Sequence, residues 1–174
     1  MNVATATALI PYVFASLAFC SAIISLYVKR AALYSIILIA VSIYAAATLS
    51  IATFEIYTKG IYTVYPFGGW PPPLGIVYVV DELNAALALI ASLVLFITSV
   101  FNVWYLKNVS NPGMLSTLIL LLMAGVYGCL LTGDLFNFFV MLEVTAISSY
   151  ALTAFFRGRK WAVEAAMSYA ITGA

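Results

Sequence analysis

The sequence predicts an all-α integral membrane protein with five transmembrane helices, a truncated sixth, and a short β-hairpin on the outer face between helices 2 and 3. Of its 174 residues, 66% are hydrophobic and only 7% are charged, whereas soluble domains carry about 25% charged residues. The apolar residues form runs of the length that a membrane helix needs, about 20 residues. The basic residues fall in alternate loops between these runs. We expect residues 1–174 to form a single transmembrane domain.

The first two helices are predicted at residues 4–28 and 31–57, and a short basic turn joins them. The first apolar run lacks the short basic start of a signal peptide, so we interpret it as a retained helix. Pro11 is expected to kink it, as proline does in membrane helices without ending them. The short turn predicts that the two helices are antiparallel neighbours. Glu55, near the far end of the second helix, is interpreted as an interfacial carboxylate in water.

The segment that follows predicts a β-hairpin at residues 60–80. Three prolines at 71–73, with glycines on both sides, exclude a helix here. Aromatic and β-branched residues recur at every second position on either side of this turn, as they do in strands. Tyrosine and tryptophan suit the headgroup region of a bilayer. We therefore expect the hairpin to lie at the membrane surface.

Four further apolar runs predict helices 3 to 6, at residues 81–106, 114–131, 135–156 and 161–174. Asp81 and Glu82 favour the positive end of the helix 3 dipole. Asp134 is the expected N-cap of helix 5. Ala124 and Gly128 are small residues at the spacing that permits close helix packing.

The last run predicts a helix that is short for a membrane span. Residues 161–174 cover ~21 Å as a helix, whereas a hydrocarbon core is ~30 Å thick. We expect either that the sequence is a fragment of a longer chain or that another polypeptide continues or covers it.

The basic residues predict the orientation in the cell membrane. If every predicted helix crosses the bilayer, six of the seven basic residues fall on one side: Lys29, Arg30, Lys107, Arg157, Arg159 and Lys160. The other side takes Lys59 and most of the carboxylates. By the positive-inside rule, the N-terminus and the hairpin are outside and the basic loops are cytoplasmic.

Several classes of function are not favoured by the composition. The absence of histidine excludes haem held by paired histidines and argues against a zinc or copper site. Cys20 and Cys129 stand alone in apolar runs, which argues against an iron–sulfur cluster held by this chain. There is no glycine-rich nucleotide motif, and a net charge of +1 gives nucleic acid no electrostatic support. We expect no cofactor, no metal, no nucleic-acid partner and no catalytic site in this chain.

One carboxylate, Glu143, lies near the middle of the apolar stretch at residues 134–156. It follows Asp134 by nine residues and precedes Arg157 by fourteen, or ~13 Å and ~21 Å along a helix. A bare carboxylate at that depth is costly, so it must be neutral, paired or hydrated. One interpretation is a titratable group on an ion path. The other is a structural ion pair, or a carboxyl group that is hydrogen-bonded to a neighbouring helix.

The helical face around Glu143 is expected to be almost entirely apolar. Its other members, by spacing, are Phe136, Phe139, Val140, Ile147 and Tyr150. Tyr150 is the only polar residue among them. Any charged partner of Glu143 must therefore come from another helix or another chain.

Two segments resemble a known family. Residues 69–81 are Gly-Trp-Pro-Pro-Pro-Leu-Gly-Ile-Val-Tyr-Val-Val-Asp, and residues 132–143 are Thr-Gly-Asp-Leu-Phe-Asn-Phe-Phe-Val-Met-Leu-Glu, followed by Ser-Ser-Tyr-Ala-Leu. Both resemble the antiporter-like membrane subunits of Mrp sodium/proton antiporters, complex I, membrane-bound hydrogenases and sulfur reductases. The hairpin is most similar to the D-type Mrp subunit and its hydrogenase equivalent. The resemblance covers about residues 60–174.

This resemblance implies a membrane subunit of a multi-subunit complex that translocates protons, sodium ions or both. In the family, the glutamate at the position of Glu143 pairs with lysines on later helices, and this sequence contains none of those helices. Family members often have lysine where this chain has Ser168. The ion path is predicted to include Glu143, Tyr150 and Glu164.

The implied partners are the lipid bilayer and other membrane subunits, including one that supplies the missing helices or lysines. Iron–sulfur redox subunits are partners if a redox reaction drives transport, in which case the chain serves a membrane oxidoreductase. The alternative is a shortened structural or docking subunit that does not pump. An integral-membrane enzyme is not favoured.

Overall fold

The apolar runs form helices throughout the computed structural model, which describes residues 3–60, 62–70 and 73–173. Within these ranges the helices are α1 (Val3–Ala8), α2 (Ile10–Tyr27), α3 (Ala31–Lys59), α4 (Glu82–Tyr105), α5 (Pro112–Leu131), α6 (Leu135–Thr153) and α7 (Lys160–Gly173). Two strands, β1 (Thr63–Pro66) and β2 (Val77–Val80), pair antiparallel between α3 and α4.

Five helices of the described chain, α2 to α6, are long and apolar enough to cross a membrane. The predicted class, mostly helical with five apolar helices and a two-stranded hairpin, is confirmed at this level. The number of actual crossings and the side that each loop faces stay predictions.

The helix starts follow local side-chain chemistry. The run predicted as one helix at 4–28 is divided at Leu9, just before Pro11, because proline lacks the N–H that would continue the hydrogen-bond ladder. Asp81 caps α4 by accepting from the Asn84 backbone N–H at 2.9 Å. The Asn84 side chain returns the bond by accepting from the Asp81 N–H at 2.7 Å, which completes a capping box.

Three predicted helix bounds need correction. Helix α3 continues to Lys59 rather than ending at 57. Helix α5 begins at Pro112 rather than at 114, because Asn111 caps it and proline is well suited to a first helical position. Helix α6 ends at Thr153 rather than at 156. After its last turn, the Phe155 N–H donates to the Leu152 carbonyl, three residues earlier, at 3.2 Å. Helix ends often tighten in this way, from a four-residue to a three-residue spacing.

One strand of the hairpin, β2, is buried against the helices rather than exposed at the surface. Val77, Tyr78 and Val80 of β2 are buried, whereas β1 is partly exposed. The turn that follows β1 contains Gly68, whose φ of +67° a larger residue rarely adopts. Residues 61, 71 and 72 of the predicted hairpin lie outside the described residues, as do residues 1, 2 and 174 of the predicted domain.

Two of the three tightest helix pairs follow the chain order, and the third joins helices that are distant in sequence. Helix α2 packs chiefly against α5, α3 against α4, and α5 against α6. The first two predicted helices are therefore only loose neighbours, with α1 rather than α2 making most of the contact with α3. Polar side chains join the tighter pairs: the Ser21 and Thr117 hydroxyls lie 2.7 Å apart between α2 and α5, and the Ser99 hydroxyl donates to the Leu38 carbonyl at 3.3 Å between α4 and α3.

Contacts sort the loops into two ends of the bundle. At one end, Gly113 at the start of α5 packs against Ser25 of α2 and Tyr34 of α3. The loops with the six basic residues named above lie at this end, called here the basic end. At the other end, the Gly133 N–H donates to the Val77 carbonyl of β2 at 2.8 Å. This second end is called here the hairpin end.

Candidate functional site

Glu143 lies near the middle of α6 and is exposed on the surface of the described chain. Its neighbours three, four and seven residues away are also exposed: Phe136, Phe139, Val140 and Ile147. This spacing places all five side chains on one side of the helix, called here the Glu143 face. It combines large apolar side chains with a single carboxylate.

The Glu143 carboxylate forms no ion pair and no hydrogen bond with residues 3–60, 62–70 or 73–173. Across those residues the ion pair that does form joins Lys59 Nζ to Glu55 Oε1 at 2.9 Å, at the exposed end of α3. In a hydrocarbon environment, an unpaired carboxylate must be neutral, hydrated or supplied with a partner. The site is thus open to completion by a group from outside the described residues.

Close packing between α5 and α6 sets the direction of this face. A side chain at Gly125 would collide with Thr145, and one at Gly128 with Met141. Met141 and Thr145 each lie two residues from Glu143, which is about 200° around an α-helix. Because those two residues are held against α5, Glu143 points away from it. The sequence indicated a small-residue contact at Gly128 but did not reveal the role of Gly125.

A polar network links the hairpin to the first turn of α6. Asp134 caps the helix by accepting from the Phe136 and Asn137 backbone N–H groups at 3.3 and 3.0 Å. The buried Asn137 amide donates to the Tyr78 hydroxyl at 3.3 Å and to the Thr132 hydroxyl at 3.0 Å. Burial raises the pKa of the Tyr78 phenol far above its ordinary value. The hydroxyl, which is neutral at physiological pH even at that ordinary value, therefore keeps its proton. We call Tyr78, Thr132 and Asn137 the hairpin lock.

The hairpin lock positions α6, yet no pattern singled out in the sequence predicted a role for it. An asparagine in an otherwise apolar first turn, at 137, was the signal that could have revealed it. Its partner Tyr78 is distant in the sequence, so the pairing itself has no local signature. Through Asn137, the hairpin lock fixes α6 at a position six residues before Glu143.

The other two predicted site residues lie on α6 and α7. Tyr150 follows Glu143 by two helical turns, and its ring packs edge-on against Tyr169 of α7 with centroids 4.9 Å apart. Its hydroxyl also approaches Gly173. Glu164 is exposed on α7. Within the described chain, no hydrogen bond or ion pair joins any two of Glu143, Tyr150 and Glu164.

Metal ligands do not gather in the part of the chain that the structure describes. No group of three or more histidine, cysteine, aspartate or glutamate side chains occurs there with the proximity a metal ion needs. Cys20 and Cys129 are free thiols on different helices.

Known proteins resemble this chain in sequence. No protein-family model matches it. The NADH-quinone oxidoreductase subunit N of Desulforudis audaxviator is 34% identical over 137 residues, which are 78% of this chain and 27% of the relative. The D-type subunit of the Na(+)/H(+) antiporter of Alkalihalophilus pseudofirmus is 34% identical over 131 residues, which are 75% of this chain and 25% of the relative.

Solved structures resemble it in fold as well. A chain of the membrane-bound sulfane sulfur reductase, an archaeal respiratory membrane complex, superposes with a TM-score of 0.84 at 32% identity, covering 98% of this chain and 34% of that one. A chain of the Mrp complex from a Dietzia species gives a TM-score of 0.71 at 27% identity, covering 88% of this chain and 28% of that one.

The kind of protein that these relatives are is consistent with the five apolar helices of the structure. This chain spans about a quarter to a third of the length of the proteins it matches. The relatives are subunits of membrane complexes, and five helices here are able to span a bilayer. The chain is a multi-pass membrane protein, homologous over part of their length to the antiporter-like subunits of Mrp antiporters and respiratory membrane complexes.

Proposed function

We propose that this chain is a membrane subunit of a multi-subunit complex that translocates protons, sodium ions or both, with Glu143 on the ion path. The observation that carries the proposal is the Glu143 face: a carboxylate in mid-helix, on an exposed apolar surface, with no partner among the described residues. The printed names of the relatives, an antiporter subunit and subunits of respiratory complexes, support an ion-translocating assembly.

The chemistry of such a carboxylate suits ion movement. A carboxyl group that loses water becomes neutral, whereas one that faces a cation becomes charged. Its protonation therefore changes when a neighbouring charge moves. Tyr150 and Glu164 are the further polar groups that we assign to the path, on the consecutive helices α6 and α7.

The Glu143 face also defines the partners that we propose. Other membrane subunits, or further helices, cover this face and supply a cation or ordered water to the carboxylate. We place the basic end in the cytoplasm and the hairpin end outside, by the positive-inside rule. Residues 1–174 act in this arrangement as a single transmembrane domain.

The test is Glu143→Gln in the assembled complex, with proton and sodium fluxes measured in sealed vesicles. Glutamine keeps the size and polarity of the side chain but cannot exchange a proton, so transport should fall to background. Glu55→Gln is the matched control, because it removes the same charge from the exposed end of α3. Full transport by the Glu143→Gln complex would remove Glu143 from the path.

A docking subunit that does not pump is the second candidate, and the wide apolar surface of α6 and α7 favours it. Exposed large side chains there include Leu135, Phe136, Phe139, Ile147, Trp161 and Ile171. A docking role predicts that Glu143→Gln leaves transport intact while deletion of the chain disrupts assembly. A stable complex that has lost only transport after the deletion would exclude this role.

The driving reaction is a separate question, which purification answers. Mass spectrometry of a tagged complex in mild detergent would identify its other subunits. Iron–sulfur subunits would place the chain in a redox-driven pump, as the respiratory relatives suggest. Small hydrophobic subunits alone would place it in a secondary antiporter of the Mrp kind.

A further inference from the structure

A cleft lies at the basic end of the described chain, between the start of α5 and the end of α6. Its volume is about 770 Å³. The inner wall is apolar and includes Met114 and Leu118 of α5 with Ala151 and Phe155 near the end of α6. We call this the α5–α6 cleft. It lies at the end of the helix that carries the Glu143 face, four residues beyond Ile147, and none of the five residues of that face lines it.

Two arginines line the mouth of the α5–α6 cleft. Arg157 and Arg159 belong to the exposed turn between α6 and α7. Neither guanidinium has a carboxylate within 4 Å in residues 3–60, 62–70 and 73–173, where the ion pair that forms is Lys59–Glu55. The mouth therefore carries two positive charges that the described chain does not neutralise.

Aromatic rings hold one of these arginines in place. The Arg159 guanidinium lies 5.4 Å from the centroid of Phe156 and 5.5 Å from that of Trp161, within the range of cation–π attraction. Phe156 and Trp161 are exposed, and aromatic side chains of this kind concentrate at the interface between a bilayer and water. The arginine is thus positioned at headgroup level beside an apolar wall.

We propose that the α5–α6 cleft binds an anionic phospholipid. The lipid phosphate contacts Arg157 and Arg159, whose planar guanidinium groups match phosphate oxygens with paired donors. One acyl chain lies along the apolar wall. Basic pockets between membrane helices bind anionic headgroups in this way. The apolar wall favours a lipid over a free phosphate, which would leave most of the cleft without a matching surface.

Native mass spectrometry of the full chain, purified in mild detergent, tests the proposal. Phosphatidylglycerol or phosphatidylcholine is added in micelles and the lipid-bound fraction is measured. We expect phosphatidylglycerol to bind well above phosphatidylcholine. Arg157→Gln combined with Arg159→Gln should weaken phosphatidylglycerol binding about tenfold or more, since each basic group at a membrane surface contributes substantially to anionic lipid binding.

The matched control is Lys107→Gln combined with Lys160→Gln. It removes two charges from the same end of the bundle, and neither lysine lines the cleft. We expect less than about a twofold change in this control. An equal loss in both double variants, or a loss in neither, would overturn the proposal.

Two further arms keep the test decisive. Ala151→Phe fills the cleft without changing charge and should also reduce phosphatidylglycerol binding, so a poorly folded arginine variant does not leave the question undecided. Glycerol 3-phosphate is then added as a competitor. If it displaces the lipid at equal concentration, the site recognises a soluble phosphate and the lipid proposal is wrong.

Discussion

Helices α5 and α6 are consecutive and apolar, but their surroundings are opposite. Twelve of the twenty residues of α5 are buried, and only two of the nineteen residues of α6. The two buried residues of α6, Asn137 and Ser148, are polar, whereas its phenylalanines point outward. In water such an arrangement would be unfavourable. It indicates that α5 forms the centre of this fold and that α6 is built to contact lipid or further protein.

The strongest way to break this comparison is to separate the two helices. Gly125→Ala places a methyl group against Thr145, so α6 must shift. We expect it to lower the free energy of unfolding by about 1–3 kcal/mol. Denaturant unfolding of the chain in detergent, followed by circular dichroism, measures this.

Gly158→Ala is its control, because a methyl group at that exposed turn position meets nothing within 4 Å. The control should change stability by less than about 0.5 kcal/mol. Equal stability of the two variants would show that the α5–α6 contact is looser than the structure has it.

A second change tests the attachment of α6 to the hairpin. Asn137→Ala removes the hydrogen bonds to Tyr78 and Thr132 and leaves these buried hydroxyls without that donor. We expect a loss of about 1–2 kcal/mol and faster proteolysis of the hairpin. Asn108→Ala, at an exposed turn, is the matched substitution. Unchanged proteolysis in Asn137→Ala would mean that the backbone pairing of β2 alone holds the hairpin.

A smaller effect is expected from the polar contacts of α5. The Tyr127 hydroxyl lies 2.9 Å from that of Ser92 on α4. Tyr127→Phe removes this bond and keeps the ring, which should cost about 0.6 kcal/mol, the average for such bonds between membrane helices. The same substitution at the exposed Tyr57 should have no measurable effect. A loss several times larger would indicate that Tyr127 organises more of the core than one bond explains.

The smallest effect on the chain itself is expected on the Glu143 face. Phe139 is 58% exposed, so Phe139→Ala should change the stability of the isolated chain by less than about 0.5 kcal/mol. Its yield in the assembled complex should nevertheless fall, because the ring is available for contact with a partner. Size-exclusion chromatography of the tagged complex measures this. Normal assembly would mean that lipid rather than protein covers the face.

Much of the fold was predictable because its causes are local. The apolar runs and the cap at Asp134 each depend on residues within a few positions of one another. A kink was expected at Pro11, and the structure divides the helix beside it, at Leu9. Asp81 was expected to favour the helix dipole, and it also caps α4. The position of Glu143 in mid-helix was equally predictable, because its depth follows from counting the residues that separate it from Asp134 and Arg157. The later end predicted for α6 was wrong, because apolar residues continue past the last helical turn.

The sequence by itself determined the membrane class, the helices, the hairpin and the presence of one carboxylate in mid-helix. Only the tertiary structure decided that α2 packs on α5, that Tyr78 joins Asn137, and that Glu143 points away from α5. The physical reason is range. Helix formation and capping are set by neighbouring residues, whereas the direction of a helix face is set by side chains that meet it from distant positions, such as Gly125 and Gly128.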